Sequence, residues 1–163
     1  MDTLGQPEIY IYSIRSAVAG DADRLSEIAI LSKSYWPYDP EFIEACRGDL
    51  RVSSERAAQD GVFVIETNDS VIGFYSFSMS NDGIPEMNNL FVLPESIGKG
   101  VGLRLWQHAI SYARGRNWKH FEMDADPFAA EKFYFKVGCV KVGETESTVL
   151  KGRLLPRLRY VLD

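Results

Sequence analysis

Glycine fills every second position of Gly98-Lys99-Gly100-Val101-Gly102, after the apolar run Leu90-Phe91-Val92-Leu93 and before an amphipathic stretch that begins at Leu103. The segment therefore reads as a strand, a glycine loop and a helix. Missing Cβ atoms let a ligand approach the backbone and permit positive φ angles. The N–H groups of the loop and of the first helical turn then converge on one spot, where the helix dipole adds partial positive charge. Lys99 adds a full charge beside it. Such a cradle suits a phosphate or pyrophosphate.

Two familiar phosphate loops do not fit. A P-loop requires a hydroxyl residue after its lysine, and Lys99 is followed by Gly100. The dinucleotide fingerprint Gly-x-Gly-x-x-Gly would need glycine at position 103, where Leu103 stands.

The 163 residues suit one domain spanning 1–163, a size that buries about 70% of its unfolded surface. A net charge of −5 without a basic cluster argues against nucleic acid. No apolar run reaches membrane-spanning length, and the N-terminus lacks a signal-peptide pattern, so neither a membrane nor a secretory route is expected. Cys46 and Cys139 match no metal spacing and read as buried free thiols in a reducing cytoplasm. No bound metal is expected.

Periodicity predicts the remaining elements. Ile9, Ile11, Ile14 and Val18 mark a first strand; Gly20-Asp21 marks a turn and N-cap, with Leu25, Ile28, Ala29 and Ser32 on one face of the helix that follows. Tyr35, Trp36 and Tyr38 lie in an aromatic loop before a second helix, and residues 53–60 read as a loop or short helix. Strands over 62–66 and 71–79 flank a hairpin turn at Thr67-Asn68-Asp69-Ser70. A strand over 84–93 leads into the glycine loop, and the next helix runs from about Gly100 to Arg116. A strand over 121–124 precedes Asp126-Pro127, read as the N-cap and first residue of a helix that ends at Gly138. The alternating tail 154–162 closes a sheet. The fold class is thus α/β (α+β): a mixed, mostly antiparallel central sheet flanked by about four helices.

Gly-x-Gly-x-Gly after a strand ending in Val-x-Pro resembles the acyl-CoA pyrophosphate loop of the GNAT superfamily of N-acetyltransferases. The element order and Phe133-Tyr134-Phe135-Lys136-Val137-Gly138 extend the resemblance over nearly the whole chain. The chain is also similar to a bacterial group with Ser-Lys-x-x-Trp (Ser32 to Trp36), Ile-Gly-Lys-Gly (Ile97 to Gly100) and Ala-Asp-Pro (Ala125 to Pro127). It departs at Ile97, where many members carry Arg or Gln; those contacts are mostly main-chain.

The resemblance implies acetyl-CoA as cosubstrate, held by Leu90, Phe91, Val92 and the loop Ile97, Gly98, Lys99, Gly100, Val101, Gly102 and Leu103. Leu90 to Val92 would pair with the pantetheine arm, and an amide near Phe91 would hydrogen-bond the thioester carbonyl. Transfer is direct, in a ternary complex, to a small-molecule or peptide amine; a homodimer is left open. An amine of pKa about 10.4 must lose a proton to react. Glu86 is the first candidate to take it, with Glu122 and Asp124 behind, although Glu86 also reads as a solvated acid at a strand start. Tyr134 matches the tyrosine that protonates the leaving thiolate, although it also fits an apolar helix face with Ala130, Phe133 and Val137. Asp126 lies near a family asparagine that touches CoA, but capping alone would explain it. Lys136 reads as a solvated lysine or a contact to the 3′-phosphate. Tyr35, Trp36, Tyr38 and Asn88 are the acceptor-site candidates. His108 and His120 have no catalytic partner at a useful spacing and are expected at the surface. A CoA-binding regulatory module without an efficient base is the rival class.

Overall fold

The computed structural model describes residues 10–163. Its sheet has seven strands: β1 (Ser13–Ser16), β2 (Val62–Thr67), β3 (Ser70–Met79), β4 (Pro85–Val92), β5 (His120–Asp124), β6 (Val140–Glu146) and β7 (Leu154–Val161). They lie in the order β1-β2-β3-β4-β5-β7-β6, and only β4 and β5 run parallel. The helices are α1 (Ala22–Lys33), α2 (Pro40–Leu50), α3 (Ser54–Ala57), α4 (Val101–Gly115) and the single turn α5 (Pro127–Ala129). Five helical segments therefore stand where about four were expected.

Local chemistry accounts for most boundaries. Asn68 and Asp69 both hold positive φ, 52° and 60°, the pair of left-handed residues a two-residue hairpin needs. Ser53 accepts the Arg56 N–H at 3.1 Å and caps α3, so the polar segment after α2 resolves into a short helix. Pro40 opens α2, where its missing N–H costs nothing.

The first strand is shorter than its apolar spacing predicted. Ile9 lies outside the described residues, and Ile11 and Val18 are exposed and outside β1. The expected cap at Asp21 is also different in kind. Its carboxylate accepts the Val18 N–H at 2.8 Å and binds Arg15, which fastens a 3₁₀ turn ahead of α1 instead of capping α1 itself.

Both sheet faces are covered. Strand alternation sends Tyr75 and Phe74 to opposite faces, and both are fully buried. α4 lies on the Tyr75 side, its apolar stripe Val101, Leu105, Trp106, Ala109 and Ala113 buried, with Trp106 edge-on to Phe121 and Tyr160. α1 lies against β3 and β4 and buries Leu25, Ile28 and Ala29.

One irregularity shapes the centre. The β3–β4 register shifts between Ser76 and Phe77, leaving Asn88 as an extra residue on β4. Beyond this bulge β4 stays with β3 but departs from β5, with which it shares the single registered pair Glu86 and Glu122. The sheet opens there into a V.

Candidate functional site

The V is the floor of a cleft of about 620 Å³ that runs from the glycine loop to the end of α1. Leu90, Phe91 and Val92 line it. The Leu93 N–H donates to Ile72 on β3 at 2.8 Å. In an antiparallel pair the inward-facing residues alternate, so the Phe91 N–H also turns to β3 while those of Leu90 and Val92 face the opening. The free amides of the splayed edge therefore flank Phe91.

At one end, Gly98 and Gly100 adopt φ of 83° and 79°, and the space that a Cβ would enter at each is empty. Gly100 starts α4 in the left-handed conformation without a side-chain cap. The first amides of α4 are thus left to a ligand. Ile97, Gly98, Gly100, Gly102 and Leu103 line the cleft. Gly102, however, is helical, and its missing Cβ faces the Phe133 ring at 3.6 Å; it serves close packing, not loop conformation. Val101 points into the core. Lys99 is outside the lining, its Nζ 6.0 Å from the Tyr10 ring. The cations that line the cleft are Lys132 and Lys136, together with Lys33 at its other end. The four-residue spacing of Lys132 and Lys136, one helical turn, was the available signal.

Asn88 lines the cleft at the bulge and accepts from Arg56 at 3.0 Å. Glu86 does not line it. Its carboxylate is held by Arg157 at 3.0 Å, and Arg157 also binds Glu122 at 3.1 Å and Asp124 at 3.3 Å. This arginine, unremarked in the sequence, neutralises the two glutamates that β4 and β5 place opposite each other. Burial pushes the Glu122 carboxyl up, but Arg159 and Arg157 overcome it and hold the group below the usual carboxylate range. Asp124 alone of the three lines the cleft. Its Oδ1 accepts from Thr145 at 2.7 Å and faces Arg157, and among the described residues no partner engages Oδ2.

The segment expected as one regular helix to Gly138 is α5 followed by a π turn, Ala130–Tyr134, in which the Phe135 N–H donates to Ala130 at 3.0 Å. Such wide turns concentrate at functional sites. This one delivers Tyr134 to the cleft wall, its side chain buried and its hydroxyl bonded to no described residue. Burial pushes its phenol well above the ordinary value, with Cys139 and Asp126 adding to the effect, so it stays a proton donor at neutral pH.

At the far end, Asp126 gathers side chains from the last residue of α1, the loop that follows it and the loop before β7. It caps α5 by accepting the Phe128 N–H at 2.9 Å, takes Lys33 at 2.6 Å and the Tyr38 hydroxyl at 2.7 Å, and lies 3.6 Å from Arg153. Burial would raise its carboxyl, but Lys33 and Tyr38 hold it low. Trp36 and Asp126 line the cleft, with Trp36 stacked on Phe128 at 5.7 Å. Tyr35 leans edge-on against Trp36 and is exposed, and Tyr38 stands behind the lining. Lys33 stood within the Ser-Lys-x-x-Trp motif without a role assigned to it, and Phe128 and Arg153 carried no sequence signal of their own.

His108 is not a free surface group: it is half-buried against Phe63 and bonded to the Tyr75 hydroxyl at 2.7 Å. Both cysteines are buried and free. Among the described residues, no cluster of three or more His, Cys, Asp or Glu is placed to hold a metal, and no helix is long and apolar enough to cross a membrane.

A family model for the acetyltransferase (GNAT) family matches residues 28–139. An uncharacterised N-acetyltransferase of Archaeoglobus fulgidus is 36% identical over 84 residues, 47% of this chain and 57% of that protein. Another, from Methanocaldococcus jannaschii, is 28% identical over 157 residues, 90% of this chain and 66% of its own length. The chain thus spans less than two thirds of either relative. Among solved structures, the PaiA N-acetyltransferase of Thermoplasma acidophilum in complex with coenzyme A superposes with a TM-score of 0.75 at 18% identity, covering 93% of this chain and 99% of that one.

Proposed function

The chain belongs to the GNAT acetyltransferase family, and on that premise we propose that it moves an acetyl group from acetyl-CoA to a primary amine by direct transfer, as one domain over residues 1–163. The observation that carries the reading is the continuous cleft, which joins an anion cradle at Gly98 and Gly100 to two unpaired strand amides and then to Asp124 and Tyr134.

The residues present fit acetyl-CoA. The empty Cβ positions and the uncapped start of α4 would receive the pyrophosphate, and Lys132 and Lys136 supply charge along the same wall. The open edge at Leu90 and Val92 would pair with the pantetheine arm. One of these N–H groups, donating to the thioester oxygen, offsets the charge that develops there.

The amine nitrogen forms its bond to the acetyl carbon as the carbon–sulfur bond breaks. Asp124, steadied by Thr145 and Arg157, takes the proton that the amine sheds, and Glu86 sits behind it on the same arginine. Tyr134 gives its proton to the departing sulfur. Two buried free thiols suit a reducing cytoplasm.

The test has two stages. Acetyl-CoA at 100 times Kd should stabilise the protein by about 2.7 kcal/mol, visible in a thermal melt. Thiol release from acetyl-CoA is then followed across a panel of amines. Binding without any release would favour a CoA-binding regulatory module, and no thermal shift with acetyl-CoA or CoA would remove the reading.

A further inference from the structure

The acceptor end of the cleft carries more positive charge than its own carboxylate balances. Lys33 and Arg153 are 13% and 17% exposed, and both draw on Asp126, which is 12% exposed. Two cations thus share one carboxylate away from water; the Tyr38 and Phe42 rings that both cations face offset part of their charge, and a second anion would offset the rest. Neither neighbouring acid supplies it. The Tyr38 phenol, pushed up by burial and by Asp126, stays neutral while it bridges Arg153 and Asp126. The Cys46 thiol is pushed up by burial despite both cations. Of the other carboxylates, Asp124 is engaged by Arg157 and Thr145, and Asp49 lies exposed and takes a hydrogen bond from Thr148.

Lys33 lines the cleft, and its ammonium, with three donors, has Asp126 as its one hydrogen-bond acceptor among the described residues. Asp124, the group assigned to the amine, lines the same cleft two residues from Asp126. Beside them the Trp36 ring, stacked on Phe128, offers an apolar wall. A site with a carboxylate for an ammonium, a surplus cation for an anion and an aromatic face for a side chain is complementary to one compact chemical class. We infer that the acceptor is a free amino acid with an apolar side chain, its amine on Asp124, its carboxylate on Lys33 and its side chain along Trp36. The inference rests on the transferase reading and narrows its substrate.

Matched pairs test it in the intact protein: phenylalanine against phenethylamine, leucine against isoamylamine, and phosphoethanolamine as a phosphate-bearing control, each scored by thiol release from acetyl-CoA. The amino acids should exceed their decarboxylated partners in kcat/KM by about tenfold or more, the worth of one hydrogen bond to a charged group. Lys33→Gln should shrink that ratio, and Lys33→Arg should restore much of it. Equal turnover of the decarboxylated amines, preference for phosphoethanolamine, or a ratio untouched by Lys33→Gln would overturn the inference. Silence of every amine while acetyl-CoA still raises the melting temperature would overturn it and leave the CoA site standing. Loss of CoA affinity in Lys33→Gln would reassign the surplus charge to a CoA phosphate, which also overturns it. Absence of any thermal shift with acetyl-CoA would instead remove the underlying transferase reading.

Discussion

Lys33 Nζ lies 2.6 Å from Asp126 Oδ2, a contact that ties the end of α1 to the start of α5 and closes one wall of the cleft. Breaking it from the acidic side leaves Lys33 and Arg153 without a counter-charge. Asp126→Asn keeps an oxygen for the Phe128 N–H, so the cap survives, while the charge and the acceptor for Lys33 and Tyr38 are both lost. The expected cost is about 3–5 kcal/mol at pH 7. Its pH dependence has a defined sign. The Asp126 carboxyl is held below its ordinary value, so its contribution is complete above about pH 4, where the unfolded group is ionised, and is lost as pH falls through the lower folded value. Urea melts of parent and variant should therefore differ at pH 7 and converge in strong acid. A gap that stays constant across that range would remove the ion pair as its cause.

Gly100→Val tests the cradle. Gly100 holds φ of 79° with empty space ahead of its Cβ. A β-branched residue there costs about 1–2 kcal/mol of backbone strain and projects methyl groups into the phosphate space. CoA affinity should fall at least about tenfold, a loss of 1.4 kcal/mol or more, while circular dichroism shows a folded protein. Unchanged affinity in a folded variant would place the pyrophosphate elsewhere.

The proton acceptor is tested by a pair of isosteric changes. Asp124→Asn retains an oxygen for Thr145 and removes the carboxylate's second oxygen as a base. Turnover should fall by about 10²–10⁴-fold while KM for acetyl-CoA stays near the parent value. Glu86→Gln, one shell back on Arg157, should lower kcat by less than about tenfold. The reverse ranking would restore Glu86 to the role that its strand position first suggested.

Local signals carried the fold. The alternation of β2 and β3, the Asn68-Asp69 turn and the α4 stripe are each written within about fifteen residues, and each appears where its pattern lies. The glycines announced the cradle for the same reason. The polar surroundings of the cleft were less legible because they depend on register between distant segments. Arg157 meets Glu86 across 71 residues and Arg153 meets Tyr38 across 115, and nothing near either arginine hints at its partner. The bulge at Asn88, which decides which amides face the opening, has no glycine or proline to mark it. Lys99 drew attention by sitting among the glycines, yet the left-handed turn carries its side chain toward Tyr10, and Lys132 and Lys136 line the cleft in its place.

Tyr134 joins the hardest sequence question to the sharpest experiment, because a buried tyrosine on an apolar helix face and a proton donor look alike in sequence. In the structure the π turn brings the ring to the cleft wall, edge-on to Trp106, and no described residue hydrogen-bonds its hydroxyl. Tyr134→Phe keeps that packing and breaks no internal hydrogen bond, so the melting temperature should hold within the effect of about 0.5 kcal/mol typical of an uninvolved site. If the hydroxyl protonates the leaving thiolate, kcat falls by about 10²–10⁴-fold with KM for acetyl-CoA little changed. With an accepted amine in hand, steady-state rates over a pH series and pre-steady-state thiol release establish that chemistry, not product release, is being read. A Phe variant that melts like the parent and turns over at more than half its rate would remove Tyr134 from the mechanism, and water reaching the sulfur through the open cleft would become the proton donor.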